Sequence, residues 1–215
     1  MVMILLNNKV LHDFGFYSIL TNPILGYETL TEVLVANNVP YIQLRIKNQS
    51  DAEILQIAKN LSSITKDSKS NLIINDSPQI AIKSNADGIH IGQDDMVYQD
   101  VRDLVGDKMI IGLSTHNIEQ VKEANLLKPN YIGMGPVYKT PTKKIPDPVL
   151  KPAGLKAMMD VNELPYVAIG GIDFSNIEDV LAVGAKNLCA VRLINECLTK
   201  QEVLEVLKKI NLLFH

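Results

Sequence analysis

A single-domain parallel (β/α)8 TIM barrel is the fold class this sequence predicts, on three observations. Eight short apolar runs recur along the 215 residues, and nearly every one is followed by a stretch whose apolar positions have helical spacing. The runs are apolar at successive positions, as strands covered on both faces are. No G-x-G-x-x-G follows the first run, which disfavours a doubly wound open sheet, and eight units is the natural closure number.

Residues 1–15 are expected to form an extension that packs on the barrel. Phe16 to Leu20 is the first strand, stopped by Thr21-Asn22-Pro23, and Leu30, Val33 and Leu34 mark a helix over Tyr27 to Asn37. Tyr41 to Arg45 is the second strand; Ser50 or Asp51 caps the helix that carries Ile54, Leu55, Ile57, Ala58 and Leu61. Leu72-Ile73-Ile74 and Gly88 to Ile91 are strands three and four, separated by Ser77 to Asn85, room for about two turns of helix. A short helix over Val97 to Val105 precedes strand five, Met109 to Leu113, and Asn117 caps a helix through Leu127. Tyr131 to Met134 is strand six. Gly135 to Pro152, with five prolines and four lysines, has neither period, and loops this long are usually functional. Helices over Ala153–Asp160 and Asn176–Val183 flank strand seven, Tyr166 to Ile169; Leu188 to Val191 is strand eight, and a last amphipathic helix carries Val203, Leu207 and Ile210.

Composition excludes several roles. With 47% hydrophobic and 21% charged residues the chain is an ordinary soluble one, and a formal net charge of −3 argues against a general nucleic-acid surface. Cys189 and Cys197 lack metal-type spacing and fit buried thiols in a reducing compartment. Met1 to Leu6 is too short and lacks the basic flank of a signal peptide, and no run is long enough to span a membrane, so the expected location is the cytoplasm. An assembly of identical subunits stays open.

In a barrel of this kind the chemistry sits at the carboxyl ends of the strands. Those ends supply Arg45 with Lys47, Asn75 with Asp76, Gln93 to Asp95, Ser114 to His116, Gly170-Gly171 and Arg192. Asp76 and Asp95, on successive strand ends, suit a magnesium ion, which uses one or two carboxylates; the alternative is that Asp76 caps the short helix and Asp94 or Asp95 the next. Arg45 and Lys47, two apart, project to one side and with Lys143 or Lys144 suit a diphosphate, or else form a solvated strand edge. Gly170-Gly171 before a helix admits a phosphate to backbone N–H groups. His90, inside an apolar strand, is expected to be a satisfied core or barrel residue and not a ligand, while His116 either joins the site or orients the Ser114 loop. Thr140 and Thr142 are ligands or turn residues.

QLRIK at 43–47, LIINDS at 72–77, ADGIHIGQDD at 86–95, GLSTH at 112–116, YIGMGPVYKTPTKK at 131–144 and VAIGGI at 167–172 resemble the successive motifs of the thiamine-phosphate synthase family, which has thiazole tautomerases as relatives. The resemblance spans Phe16 to Ile194. It implies a magnesium-dependent transferase that joins 4-amino-2-methyl-5-hydroxymethylpyrimidine diphosphate to 4-methyl-5-(2-phosphoethyl)thiazole, giving thiamine phosphate and diphosphate. It implies Asp76 and Asp95 as metal ligands, and Gln43, Arg45, Lys47, Asn75, Ser114 and Lys143 as contacts to the pyrimidine diphosphate. Among these Lys143, Ser114 and Arg45 act on the leaving group. Thr140, Thr142 and Gly171 fall to the thiazole phosphate. Two positions depart from the family: Ile46 replaces an acidic residue, and Arg192 stands where a small serine is usual. Arg192 either contacts the thiazole phosphate or blocks it, which keeps a tautomerase-like enzyme and a non-catalytic precursor-binding barrel as alternatives.

Overall fold

Each strand of the chain hydrogen-bonds to the next in sequence, and the last closes on the first. In the computed structural model, which describes residues 12–140 and 148–214, β1 (Gly15–Leu20), β2 (Tyr41–Leu44), β3 (Asn71–Asn75), β4 (Gly88–Ile91), β5 (Ile110–Thr115), β6 (Tyr131–Met134), β7 (Tyr166–Ile169) and β8 (Asn187–Cys189) form a closed, parallel barrel in that order. The connections carry α1 (Tyr27–Ala36), α2 (Asp51–Thr65), α3 (Pro78–Ser84), α4 (Tyr98–Val105), α5 (Ile118–Leu127), α6 (Lys151–Asp160) and α7 (Ile177–Ala182); α8 (Val191–Asn195) and α9 (Lys200–Leu213) follow β8. Among the described residues no helix is long and apolar enough to cross a membrane.

Helix starts follow local chemistry. Ser50, not Asp51, caps α2 through a reciprocal pair with Glu53. Asn117 caps α5 by accepting from Gln120 N at 2.9 Å, as predicted. Ser77 caps α3, with its hydroxyl accepting from Ile80 N at 3.3 Å, and α4 starts without a side-chain cap. Neither Asp76 nor Asp95 is consumed as a helix cap.

Two apolar clusters meet at the sheet. Leu20, Ile42, Leu72, Ile89, Ile111, Ile132 and Leu188 face the helices, whereas Tyr17, Tyr41, Ile73, Ile110, Tyr131 and Val167 fill the barrel interior. Tyr17 and Tyr41 stack with centroids 5.8 Å apart, and Phe14 meets the edge of Tyr41 at 4.8 Å. Aromatic rings thus close the floor beneath the site.

The structure covers only the end of the expected 1–15 extension, since residues 1–11 lie outside the described ones. Fully buried Asn187 fastens that end to the barrel: its Oδ1 accepts from Phe14 N and Gly15 N, and its amide donates to the His12 and Tyr166 carbonyls.

One boundary corrects the sequence. Strand eight stops at Cys189, and Arg192 sits on α8. Buried Asn195 causes the turn: its amide donates to Ile19 O and Val191 O, each at 2.7 Å, and its carbonyl accepts from Thr21 N at 2.8 Å. Those bonds draw the chain onto the end of β1 and coil it into a short helix.

Candidate functional site

Strand parity builds the site. Ile19 lies opposite Gln43, Gln43 opposite Ile73, Asn75 opposite His90, His90 opposite Gly112 and Ser114 opposite Gly133. Neighbours in register share a face, so these positions line the barrel's inside together. Gly112 is required there, because a Cβ on it would stand 2.5 Å from His90 Nδ1 and overlap the Tyr131 ring.

Above this layer the strand ends open into a cavity of about 440 Å³, a size that suits a small ligand. Gln43, Arg45, Lys47, Asn75, Asp76, Asp95, Ser114, Thr140, Gly171 and Arg192 all line it. Thr142, Lys143 and Lys144 lie outside the described residues. The loop that carries them is anchored at both ends, where Leu150 N donates to Pro136 O and Lys151 N to Val137 O, each at 2.9 Å.

The acidic side is formed by Asp76 and Asp95. Asp76 has φ 65°, a left-handed conformation that aspartate tolerates better than most residues, and its N–H donates to His90 O at 2.8 Å. Lys47 forms an ion pair with its carboxylate. Burial raises the Asp76 pKa above its ordinary value, and the neighbouring Asp95 carboxylate adds to that, against the pull of Lys47. Asp95 Oδ2 accepts from Gly92 N at 2.7 Å, which fixes it in the turn after β4.

Two adjacent carboxylates, one of them unfavourably charged, fit a divalent cation that prefers hard oxygen ligands. Among the described residues no group of three or more His, Cys, Asp or Glu is placed to hold a metal. The remaining ligands of such an ion would come from water and substrate, as is usual for magnesium.

Burial lowers the Arg45 pKa, with Asp76 acting the other way. Arg45, partly buried, and Lys47, exposed and paired with Asp76, line the same cavity as the carboxylates.

His90 is a barrel residue with both ring nitrogens satisfied, as expected. It lines the cavity with Nε2 2.9 Å from Ser114 Oγ and Nδ1 2.9 Å from the Tyr131 hydroxyl. Its place opposite Asn75 on the inward face turns its polar edge toward the cavity. His116 fastens the site's rim: Nδ1 donates to Gly135 O at 2.6 Å, and its N–H is held by Gln120 Oε1 at 2.7 Å. Gln93 donates to Ser114 O, tying two strand ends together.

At the opposite rim Gly171 has φ 63°, and a Cβ there would stand 2.5 Å from Lys139 O, so only glycine fits. Asn176 clamps this turn by donating to Gly171 O and accepting from Asp173 N, both at 3.0 Å. The helix expected from Asn176 starts at Ile177, beyond the Gly171–Asn176 turn, so a phosphate at the glycines would depend on the turn's backbone. Arg192 donates to Asp173 Oδ2 at 3.1 Å. The Asp173 pKa is lowered chiefly by the Ser175 hydroxyl and N–H, with Arg192 a smaller cause. Arg192 is half exposed on the cavity's edge.

A sequence model of the thiamine monophosphate synthase family matches residues 19–194. The thiamine-phosphate synthase of Halalkalibacterium halodurans is 37% identical over 185 residues, which covers 84% of this chain and 87% of the relative. That of Caldicellulosiruptor bescii is 38% identical over 162 residues, covering 75% and 74%. A solved thiamine phosphate pyrophosphorylase from Pyrococcus furiosus aligns with a TM-score of 0.78 at 24% identity, over 92% of this chain and 96% of its own. A tryptophan synthase alpha-subunit from the same organism aligns at 0.67 and 14% identity, over 94% and 98%. The two structural likenesses carry the fold. The matched stretch runs from β1 into α8 and contains every candidate residue that lines the cavity, and with identity at this level over most of its length the chain belongs to the thiamine monophosphate synthase family.

Proposed function

We propose that this protein is a magnesium-dependent transferase that makes thiamine phosphate from 4-amino-2-methyl-5-hydroxymethylpyrimidine diphosphate and 4-methyl-5-(2-phosphoethyl)thiazole, with release of diphosphate. The observation that carries this is one cavity holding two adjacent carboxylates, Asp76 and Asp95, against Arg45, Lys47, Asn75 and Ser114. Such a set suits a substrate that brings both negative charge and metal ligands.

Asp76 and Asp95 would hold the ion, which supplies electrostatic stabilisation to the departing diphosphate. Arg45 offers a planar fork to phosphate oxygens, and Lys47 a compact charge that exchanges its present partner, Asp76, for the substrate. Ser114 and Asn75 add neutral polar contacts. Ser114, held by His90, is in place before the reaction begins, so charge developing on the leaving oxygens meets a donor that need not reorganise. Lys143 and Thr142 belong to the same proposal, Lys143 for the diphosphate and Thr142, with Thr140 and Gly171, for the thiazole phosphate.

Arg192, held at the rim by Asp173, lines the cavity beside Gly171 and is assigned to the thiazole phosphate as a ligand. Both cysteines are free and buried, in keeping with work in the reducing cytoplasm.

The test is incubation of purified protein with both substrates and magnesium, followed by mass spectrometry. Thiamine phosphate and diphosphate in equal amounts, absent when the metal is chelated, is the expected result. No condensation, or equal condensation without divalent metal, rejects the assignment. Rearrangement of the thiazole phosphate alone would favour a tautomerase-like enzyme.

A further inference from the structure

A continuous line of hydrogen bonds runs through the barrel interior from Gln43 to Ser114, both of which line the cavity. Gln43 Nε2 donates to the Tyr17 hydroxyl at 3.0 Å, and the Tyr17 and Tyr131 hydroxyls lie 2.7 Å apart. Tyr131 meets His90 Nδ1 at 2.9 Å, and His90 Nε2 meets Ser114 Oγ at 2.9 Å. An amide nitrogen only donates, and each hydroxyl has one proton to give, so the Gln43 end sets the direction of the whole line. Tyr17, already accepting from Gln43, donates to Tyr131; Tyr131 donates to Nδ1. A neutral imidazole that accepts at Nδ1 carries its proton on Nε2, which leaves Ser114 Oγ as acceptor. Run in reverse, Tyr17 would accept twice and its own proton would find no acceptor among the described hydrogen bonds, in a side chain 1% exposed.

We propose that the Tyr17–Tyr131 pair is a positioning device that locks His90 as its Nε2–H tautomer and commits the Ser114 hydroxyl to donate its proton into the cavity, toward an anionic oxygen. Ser114 and His90 stand at the spacing of a nucleophile and its base. A ring nitrogen that already holds a proton takes none from serine, so this pair is a donor to anions and not a covalent catalyst. Tyr17 lines the cavity floor and meets Gln43 directly, but both tyrosines reach Ser114 only through His90 and act on it as positioning residues. That the anion is the diphosphate rests on the function proposed above; the tautomer does not.

The direct test is a two-bond ¹H–¹⁵N correlation spectrum of the ligand-free protein labelled with ¹⁵N-histidine, with His90 assigned by its absence in His90→Gln. A protonated Nε2 and a bare Nδ1 are expected in the wild type. Tyr131→Phe removes the donor to Nδ1, and its His90 should shift toward the Nδ1–H form. Tyr17→Phe leaves Tyr131 without its orienting donor and should give a mixture. A wild-type ring protonated on Nδ1, or an unchanged pattern in both variants, overturns the proposal; the wild-type spectrum decides even where a variant fails to fold.

Kinetics give the second arm. Loss of a charge-assisted donor in Ser114→Ala should lower kcat/KM by about 10- to 100-fold, while complete loss of turnover would indicate a nucleophile. Because the spectrum needs no substrate, an expected tautomer with no thiamine phosphate formed would sink the proposed reaction and leave the lock standing.

Discussion

Replacing Gly112 with alanine should be far more damaging than the same change at Gly133, although both sit on adjacent strands and face the same interior. A Cβ at 112 would overlap the Tyr131 ring and come within 2.5 Å of His90 Nδ1. Tyr131 cannot swing aside: it is 1% exposed, bonded to Tyr17 and His90, and packed 5.7 Å from the Tyr17 ring. Overpacking of this kind costs about 1–3 kcal/mol, and in a chain of this size each kcal/mol moves Tm by about 2–4 °C, so a fall of about 2–12 °C is expected. At Gly133 the nearest atoms are 3.4 Å away, at His90 Cε1, which is ordinary contact. There the reduced freedom of the unfolded chain should dominate, for a change between zero and about 1 kcal/mol of stabilisation. Differential scanning calorimetry of both variants is the assay. Equal tolerance at the two positions would refute the packing described for the barrel floor.

The other predictions concern charge, the rim and the chain's start. Because the Asp76 pKa is raised by folding, the native state binds the extra proton between the unfolded value, about 3.9, and the higher folded one, and stability falls as pH rises through that window. Asp76→Asn should therefore melt at or above wild type in chelator at neutral pH, show no such gain below about pH 4, and lose the upward shift that magnesium gives the wild type; a markedly lower Tm in chelator would contradict this. Arg192→Ala should leave stability within about 1 kcal/mol, since its ion pair with Asp173 is partly exposed. It should weaken apparent affinity for the thiazole phosphate about tenfold or more and barely alter that for the pyrimidine diphosphate; increased activity would instead mark Arg192 as a plug. Asn187→Ala breaks four hydrogen bonds that pin residues 12–15 and β7 to β8, and should cost about 2–5 kcal/mol in denaturant unfolding.

The barrel was legible because all eight strands announce themselves as apolar runs, and because Ser50 and Asn117 obey simple capping chemistry. The end of strand eight was not, since Leu188 to Val191 is uniformly apolar and the stop is imposed by Asn195, bonded to β1 from the far end of the chain. Most of the polar ring could be read from strand ends. What stayed hidden was the line beneath it: Tyr17, Tyr131 and His90 look like ordinary strand residues until cross-strand register places their polar tips together. Register is long-range information, and in a two-sided apolar strand no polar alternation reveals it. Asp76 illustrates the converse. A cap and a metal ligand are equally written in Asn75-Asp76-Ser77; the fold gives the cap to Ser77 and leaves Asp76 lining the cavity.

The central claim is that Asp76 and Asp95 hold the magnesium required for condensation. It is tested most directly by titrating magnesium into initial-rate assays of diphosphate release, with both substrates saturating, for the wild type, Asp76→Ala and Asp95→Ala. A saturable rise in the wild type, with rates in both variants at least about 100-fold lower at any magnesium concentration, is the predicted result, the size expected when roughly 3 kcal/mol of leaving-group stabilisation is lost. A near-wild-type, magnesium-dependent rate in Asp76→Ala would contradict it.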